Sequence, residues 1–269
     1  MLVQASQRGP RALPDMPTIA EVLHRRSDLS TFLVHLTKSG TDDALHNLRK
    51  MLAEGTIEAR TAMGWAAKKA VELGEAAEDS QRVVCFSEAP LEQIYSLAAE
   101  IVGRREKLEP YGLVFTKMVA RRKGVNPIWY VDMSPSGRTW EISIALDRLA
   151  SEAGALGKEG FSGHPAAAIF PFAEQMGTWP TTGTQKEFWW EREWRHVGPF
   201  AFRGKELALI LAPEKHHEKL HRVSERPCID ATWSLERMIA DLASLGPEDV
   251  TPFSVEDRTA EAPKDPFDW

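Results

Sequence analysis

The chain has 269 residues, with 33 Lys and Arg against 39 Asp and Glu and a formal charge of −6. That length fits one large domain or two small ones and can bury a full core without staples. Its two cysteines, Cys85 and Cys228, exclude a disulfide framework or a Cys-rich zinc module and point to a reducing, cytoplasmic setting, while the acidic balance argues against general nucleic-acid coating but leaves room for a local basic site.

Residues 1–27, rich in Pro and Arg, are expected to form an N-terminal arm without the continuous apolar stretch of a secretory signal. Thr31–Thr37 is a β-rich run. Thr41–Glu54 carries Leu45, Leu48, Met51 and Leu52 on one helical stripe, with Thr41 or Asp42 as N-cap and Gly55 placed for the C-cap. Ala59–Gly74 reads as a weaker helical or loop stretch. Arg82–Phe86 has the pattern of a buried strand, and Leu91–Arg105 that of a helix. Tyr111–Phe115 is strand-like, Lys117–Lys123 a basic helical turn closed by Gly124, and Asn126–Asp132 another strand with Pro127 near its start.

Trp140–Leu156 is helical in pattern, and Ser162–Pro180 is mixed. The longest uninterrupted apolar stretch, Pro165–Ala173, is far short of the ~20 residues a membrane span requires. Phe188–Val197 and Glu206–Leu211 read as strands. Pro213–His221 is predicted to be a helix with Pro in its first turn, and Trp233–Leu245 a helix ended by Gly246. Residues 247–269, charged and broken by Pro, are expected to be a loosely ordered tail. Strands and helices intermix without regular βαβ spacing, so α+β is the expected class.

The densest segment for chemistry is Lys186–His196, KEFWWEREWRH, which holds three of the nine Trp. Read as one strand, it puts Trp189, Glu191, Glu193, Arg195 and Val197 on one face, and Phe188, Trp190, Arg192, Trp194 and His196 on the other. Two carboxylates ~7 Å apart on one face repel, so either one pKa is raised or cations such as Arg195 hold both. Such a pair can anchor a ribose hydroxyl or stabilise a cationic sugar. It can equally be a solvated, charged strand beside an aromatic strip.

His35 and Thr37 share a strand face and can bind a diol or phosphate, or His35 can be a core histidine satisfied by a carbonyl. Ser87 ends a buried strand without a G-x-S-x-G turn, Cys85 reads as a small core residue, and Glu88 can cap the following helix or act in a site. His217 and His221 lie at i, i+4 but lack a visible third ligand, so no metal site is expected. The basic clusters Arg104–Lys107 and Arg121–Lys123 suit helix ends and can also contact phosphates. Gly-rich and Walker-type phosphate loops are missing from the sequence.

In order, His35-Leu-Thr37, Gly55-Thr-Ile-Glu58-Ala, Val84-Cys-Phe-Ser-Glu-Ala-Pro90, Tyr111–Phe115, Asn126–Val131 and Phe188–Arg195 resemble the AbiGi-type abortive phage-resistance family over roughly residues 28–212. C-F-S-E-x-P and W-x-E-x-E-W-R are the most specific parts. The same order resembles, more distantly, ADP-ribosyltransferase-like folds of the DarT type, with His35, Ser87 and Glu193 in the positions of their site residues and Tyr111 as a rival for the middle one.

The resemblance implies an ADP-ribosyltransferase-like core at 28–212, with a small mixed or antiparallel central sheet and flanking helices, followed by a helical extension at 213–246. It implies NAD as cofactor and ADP-ribose transfer to a cellular or phage macromolecule, protein or nucleic acid. Glu193 would then stabilise an oxocarbenium-like ribose, and Glu191 would serve as general base. Ser87 would support Glu193. His35, Thr37, Tyr111, Trp190 and Arg195 would hold the dinucleotide. The same family resemblance implies an alternative: a non-catalytic antitoxin that binds a cognate defence partner.

Overall fold

The computed structural model describes residues 29–98, 107–134, 139–178, 183 and 185–243. The expected arm and tail, and the second half of the helix expected to end at Arg105, lie outside them. In chain order, the first part of the fold contains β1 (Phe32–Leu36), α1 (Ala44–Glu54), β2 (Thr56–Ile57), β3 (Thr61–Ala62), α2 (Ala67–Leu73) and α3 (Glu75–Asp79). Then come β4 (Arg82–Ser87), α4 (Ile94–Ala98), β5 (Gly112–Thr116), α5 (Lys117–Arg122), β6 (Asn126–Pro127) and β7 (Trp129–Asp132). After them follow α6 (Thr139–Ala155), α7 (Gly157–Phe161), β8 (Ala173–Thr178), β9 (Gln185–Lys186), β10 (Glu193–Val197) and β11 (Phe200–Ala201). The chain continues through β12 (Leu207–Leu211), α8 (His217–His221), β13 (Cys228–Ile229) and α9 (Leu235–Leu242).

The α+β class holds, but the central sheet is larger than expected. It has eight strands in the order β13-β12-β5-β1-β4-β10-β6, with β3 added on β4. All its pairs are antiparallel except β12 with β13. β5 and β12 are buried at every position, as strands covered on both faces must be. The pleat sends Leu33, Val84, Phe86, Leu113 and Phe115 to one face, where Leu48, Phe200, Phe202 and Leu220 meet them. Val34, Leu36, Val114, Leu209 and Leu211 go to the other, against Ile94, Leu97, Ile229 and Met238. The first face is knit by edge-to-face rings: Phe86, Phe115 and Phe200 have centroids 5.1–6.1 Å apart. The expected helical extension does more than add helices, because its Cys228–Ile229 becomes an edge strand of this sheet.

α1 begins at Ala44, later than the Thr41 start of the sequence pattern, and neither Thr41 nor Asp42 caps it. Asp43 is its N-cap and accepts the His46 N–H at 2.7 Å. Gly55 closes it at φ 61°, and a Cβ there would sit 2.8 Å from the Phe202 carbonyl oxygen.

The second part of the fold is helical. Trp65, Ala66, Ala70, Ala77, Leu146, Ala153, Phe161, Ala167 and Phe170 form its core, where small Ala side chains let α2, α3, α6 and α7 approach closely. It carries its own sheet, β7-β8-β9, with β7 and β8 parallel. Asn126–Asp132 is therefore not one strand. It divides at Ile128, pairing with β10 before that point and with β8 after it. Ile128 N–H donates to the Glu193 carbonyl at 3.1 Å where the run changes sheets.

Candidate functional site

Phe188–Val197 is the principal departure from the strand reading. Trp189–Glu191 is a 3₁₀ turn, and Arg192 sits in the left-handed region at φ 47°, ψ 54°. Only Glu193–Val197 is extended. Glu191 is thereby taken out of the strand and does not alternate with Glu193. A non-Gly residue at positive φ needs support. Arg192 has it from both ends: its carbonyl accepts the Glu88 N–H at 3.1 Å, and its guanidinium lies 3.0 Å from the Glu88 carboxylate.

Arg195 points from β10 into the space between the two sheets and is fully buried. Its Nε and Nη2 bind both oxygens of Glu193 at 2.9 and 3.0 Å. Nη2 also donates to Glu174 of β8 at 2.7 Å, and Nη1 to the Pro171 carbonyl at 2.7 Å. Lys186 completes the chain at 2.8 Å from Glu174. Burial works to raise the Glu174 carboxyl, but Arg195 and Lys186 prevail and hold it below its ordinary value. Burial likewise disfavours the Arg195 cation, and the carboxylates overcome it. The Tyr130 hydroxyl accepts the Glu193 N–H at 3.2 Å, and burial, before any charge effect, pushes that phenol upward. This set is a charged joint between the two sheets.

Ser87 stands beside Glu193 in the pairing of β4 with β10, and Val34 stands beside Ser87 across β1. Pleating puts those three on one face and His35 on the other, where its ring meets Phe86 at 5.9 Å. His35 is thus not brought together with Ser87 and Glu193. Its Nδ1 bonds the Cys85 carbonyl at 2.8 Å, and burial lowers its pKa. Burial, reinforced by Glu193, also pushes the Cys85 thiol well up.

Thr37 and Tyr111 come together elsewhere: Thr37 N–H donates to the Tyr111 carbonyl at 2.8 Å. They lie about 10 Å along β1 from the Val34–Ser87–Glu193 row, at three residues of strand rise. Trp190 is on the 3₁₀ turn, part exposed, between Trp189 and Glu191.

Sequence reasoning gave Glu88 only as a helix cap or an unspecified site residue. Its carboxylate is 6% exposed, accepts the Trp194 indole N–H at 2.9 Å and lies 2.7 Å from Lys117. Its signal was its place in C-F-S-E-x-P. Among the described residues, no three His, Cys, Asp or Glu side chains form a metal-ligand group. His217 uses its Nε2 on the Ala212 carbonyl at 2.8 Å. Nor is any described helix long and apolar enough to cross a membrane.

By fold and site, this is an α+β protein whose mixed central sheet is tied to a helical part through a buried Glu–Arg–Glu joint. The chain belongs to the AbiGi family, described as "Putative abortive phage resistance protein AbiGi, antitoxin", which it matches over residues 49–226. That span includes Glu58, C-F-S-E-x-P, and the whole of W-x-E-x-E-W-R, and the family places the chain in abortive-infection defence against phage. No curated protein and no solved structure matches it.

Proposed function

We propose that this protein is the neutralising member of an abortive-infection pair and acts by binding a partner protein. The family description supports it. The observation that carries it is the condition of Glu193. Both its oxygens are bound by a fully buried Arg195 that also holds Glu174 and Pro171. A carboxylate so engaged serves to join two sheets, and presenting it to a ribose would break that joint. Partner contact has material of its own: Trp129, Trp189 and Trp190 are exposed on segments flanking the start of β10, and Trp is the residue type most enriched in binding hot spots.

The test is expression of the chain alone and together with the protein encoded beside it. The chain alone leaves growth unaffected, rescues cells from its neighbour's toxicity and co-purifies with it, and Trp189→Ser with Trp129→Ser weakens the complex at least tenfold. Growth arrest by the chain alone, abolished by Glu193→Gln, would instead support the ADP-ribosyltransferase-like reading. So would nicotinamide release from NAD by the purified chain.

A further inference from the structure

We propose that the free edge of β7 takes up an extended strand of the partner protein, one that carries a Lys or Arg beside Asp132. This rests on the neutralising role proposed above and names how the partner is held. β7 is an end strand of the sheet β7-β8-β9. Met133 N–H donates to the Met176 carbonyl at 2.8 Å, and Asp132 stands opposite Met176 in the register. In a parallel ladder that phase assigns the backbone groups of Val131 and Met133 to β8. Tyr130 and Asp132 therefore turn their N–H and C=O groups the other way. Ile128, of the same parity, uses that edge to donate to the Glu193 carbonyl at 3.1 Å. Beyond Ile128, none of the described residues bonds the main chain of Tyr130 or Asp132 along that edge. Trp129 is 49% exposed, and Tyr130 and Asp132 are half-buried.

The edge is open because β10 leaves it. The register of β6 with β10 pairs Asn126 with Arg195 and Pro127 with Trp194. Continued, it would bring Glu191 to Tyr130 and Trp189 to Asp132. Instead Trp189–Glu191 is a 3₁₀ turn and Arg192 is left-handed. Glu88 holds Arg192 there, its N–H on the Arg192 carbonyl and its carboxylate on the guanidinium. Closing the edge with the chain's own residues would break both contacts.

The chemistry of the edge selects its occupant. Donors and acceptors that alternate along one line are matched by another extended backbone, and strand addition to a sheet edge is a recurring mode of protein recognition. A second copy of this chain is a poor match. To use all four groups, two-fold pairing sets Tyr130 opposite Asp132, which makes the two Asp132 diagonal neighbours ~7–8 Å apart on one face. Hydrogen bonds from the Ser134 hydroxyl and N–H hold the Asp132 carboxyl below its ordinary pKa, and among the described residues it has no cation as partner. A charge in an edge strand discourages self-pairing. It favours instead a strand bearing a cation at the facing position. Trp129 begins the same strand, so the edge is continuous with the exposed Trp surface.

The test is amide hydrogen exchange of the full chain, read residue by residue by NMR, alone and with the protein encoded beside it. In the free chain the Tyr130 and Asp132 amides exchange about 10²-fold faster than those of Val131 and Met133, which are bonded into the sheet. In the complex both become protected. Asp132→Pro removes an outward N–H without touching the β8 ladder and lowers affinity about tenfold or more, while Val131 and Met133 stay protected. Asp132→Lys also weakens the complex, and Asp132→Asn weakens it less than Asp132→Pro does. Equal protection of all four amides in the free chain overturns the proposal. Protection that rises with the concentration of the chain alone assigns the edge to a second copy and overturns it too. A complex that forms without protecting Tyr130 and Asp132, and that Asp132→Pro leaves intact, overturns the docking mode and leaves the neutralising role standing. Failure of the wild-type chain to form any complex overturns the neutralising role, and the docking mode with it.

Discussion

The two parts of the molecule are held by different physics. The eight-stranded sheet is sealed by apolar residues on both faces, with β5 and β12 buried throughout. The helical part has its own Ala-rich core, but it meets the sheet through charge: Glu193, Arg195, Glu174 and Lys186 in series. Hydrophobic burial is non-directional and tolerates small shifts. A buried ion cluster is directional, and it becomes costly when one member is missing. The sheet should therefore lose stability in proportion to the volume removed, whereas the joint should fail when a single charge is removed.

Arg195→Met tests that contrast with the largest expected effect. It leaves Glu193 and the Pro171 carbonyl without their donor and Glu174 with Lys186 alone, and should cost about 4 kcal/mol in urea unfolding. Adding Glu193→Gln and Glu174→Gln to the same chain should recover part of that loss, because the uncompensated charges then disappear. In the sheet, Leu209→Ala should cost about 3 kcal/mol, and no second polar substitution should restore it. If the triple variant is no better than Arg195→Met alone, the joint is held by packing and the contrast fails.

Acid separates the parts more gently. His35 belongs to the sheet, and burial lowers its pKa from 6.5, so folding favours its neutral form. Its contribution is whole above pH 6.5 and is lost as pH falls below that toward the folded pKa. Glu174 belongs to the joint, and its carboxyl is held below 4.5. Its contribution is whole above pH 4.5 and is lost as pH falls through the lower folded value. Urea midpoints measured against pH should show two successive losses. His35→Gln should flatten the first and Glu174→Gln the second. A single loss abolished by either variant would mean that the parts do not titrate separately.

The sheet was the more legible of the two parts. β1, β4, β5 and β12 are short apolar runs, and Gly55 closes α1 where the stripe ends, because these features are local. What was not legible depends on contacts distant in sequence. No Gly or Pro marks the turn at Trp189–Arg192, and its left-handed residue is held by Glu88, just beyond the end of β4. Asn126–Asp132 has a continuous strand pattern, yet its two halves pair with different sheets. At the site, Arg195 as a counter-charge for Glu193 follows from their two-residue spacing, and the carbonyl-bound state of His35 was one of its two readings. The third member of the joint, Glu174, comes from β8, in a region of mixed pattern that pointed to no charged site.

The smallest predicted effect asks whether the two parts unfold together. Asp43→Ala removes the 2.7 Å cap bond to His46 N–H and should cost about 1 kcal/mol. The loss falls on α1, which packs on the sheet through Leu48 and is remote in sequence from the helical core around Leu146. Hydrogen exchange followed separately in α1 and α6 distinguishes the cases. If the charged joint makes the chain one cooperative unit, protection falls equally in both helices. If it lets the parts open independently, protection falls in α1 alone, and a partner able to pull on the helical part could open it without unfolding the sheet.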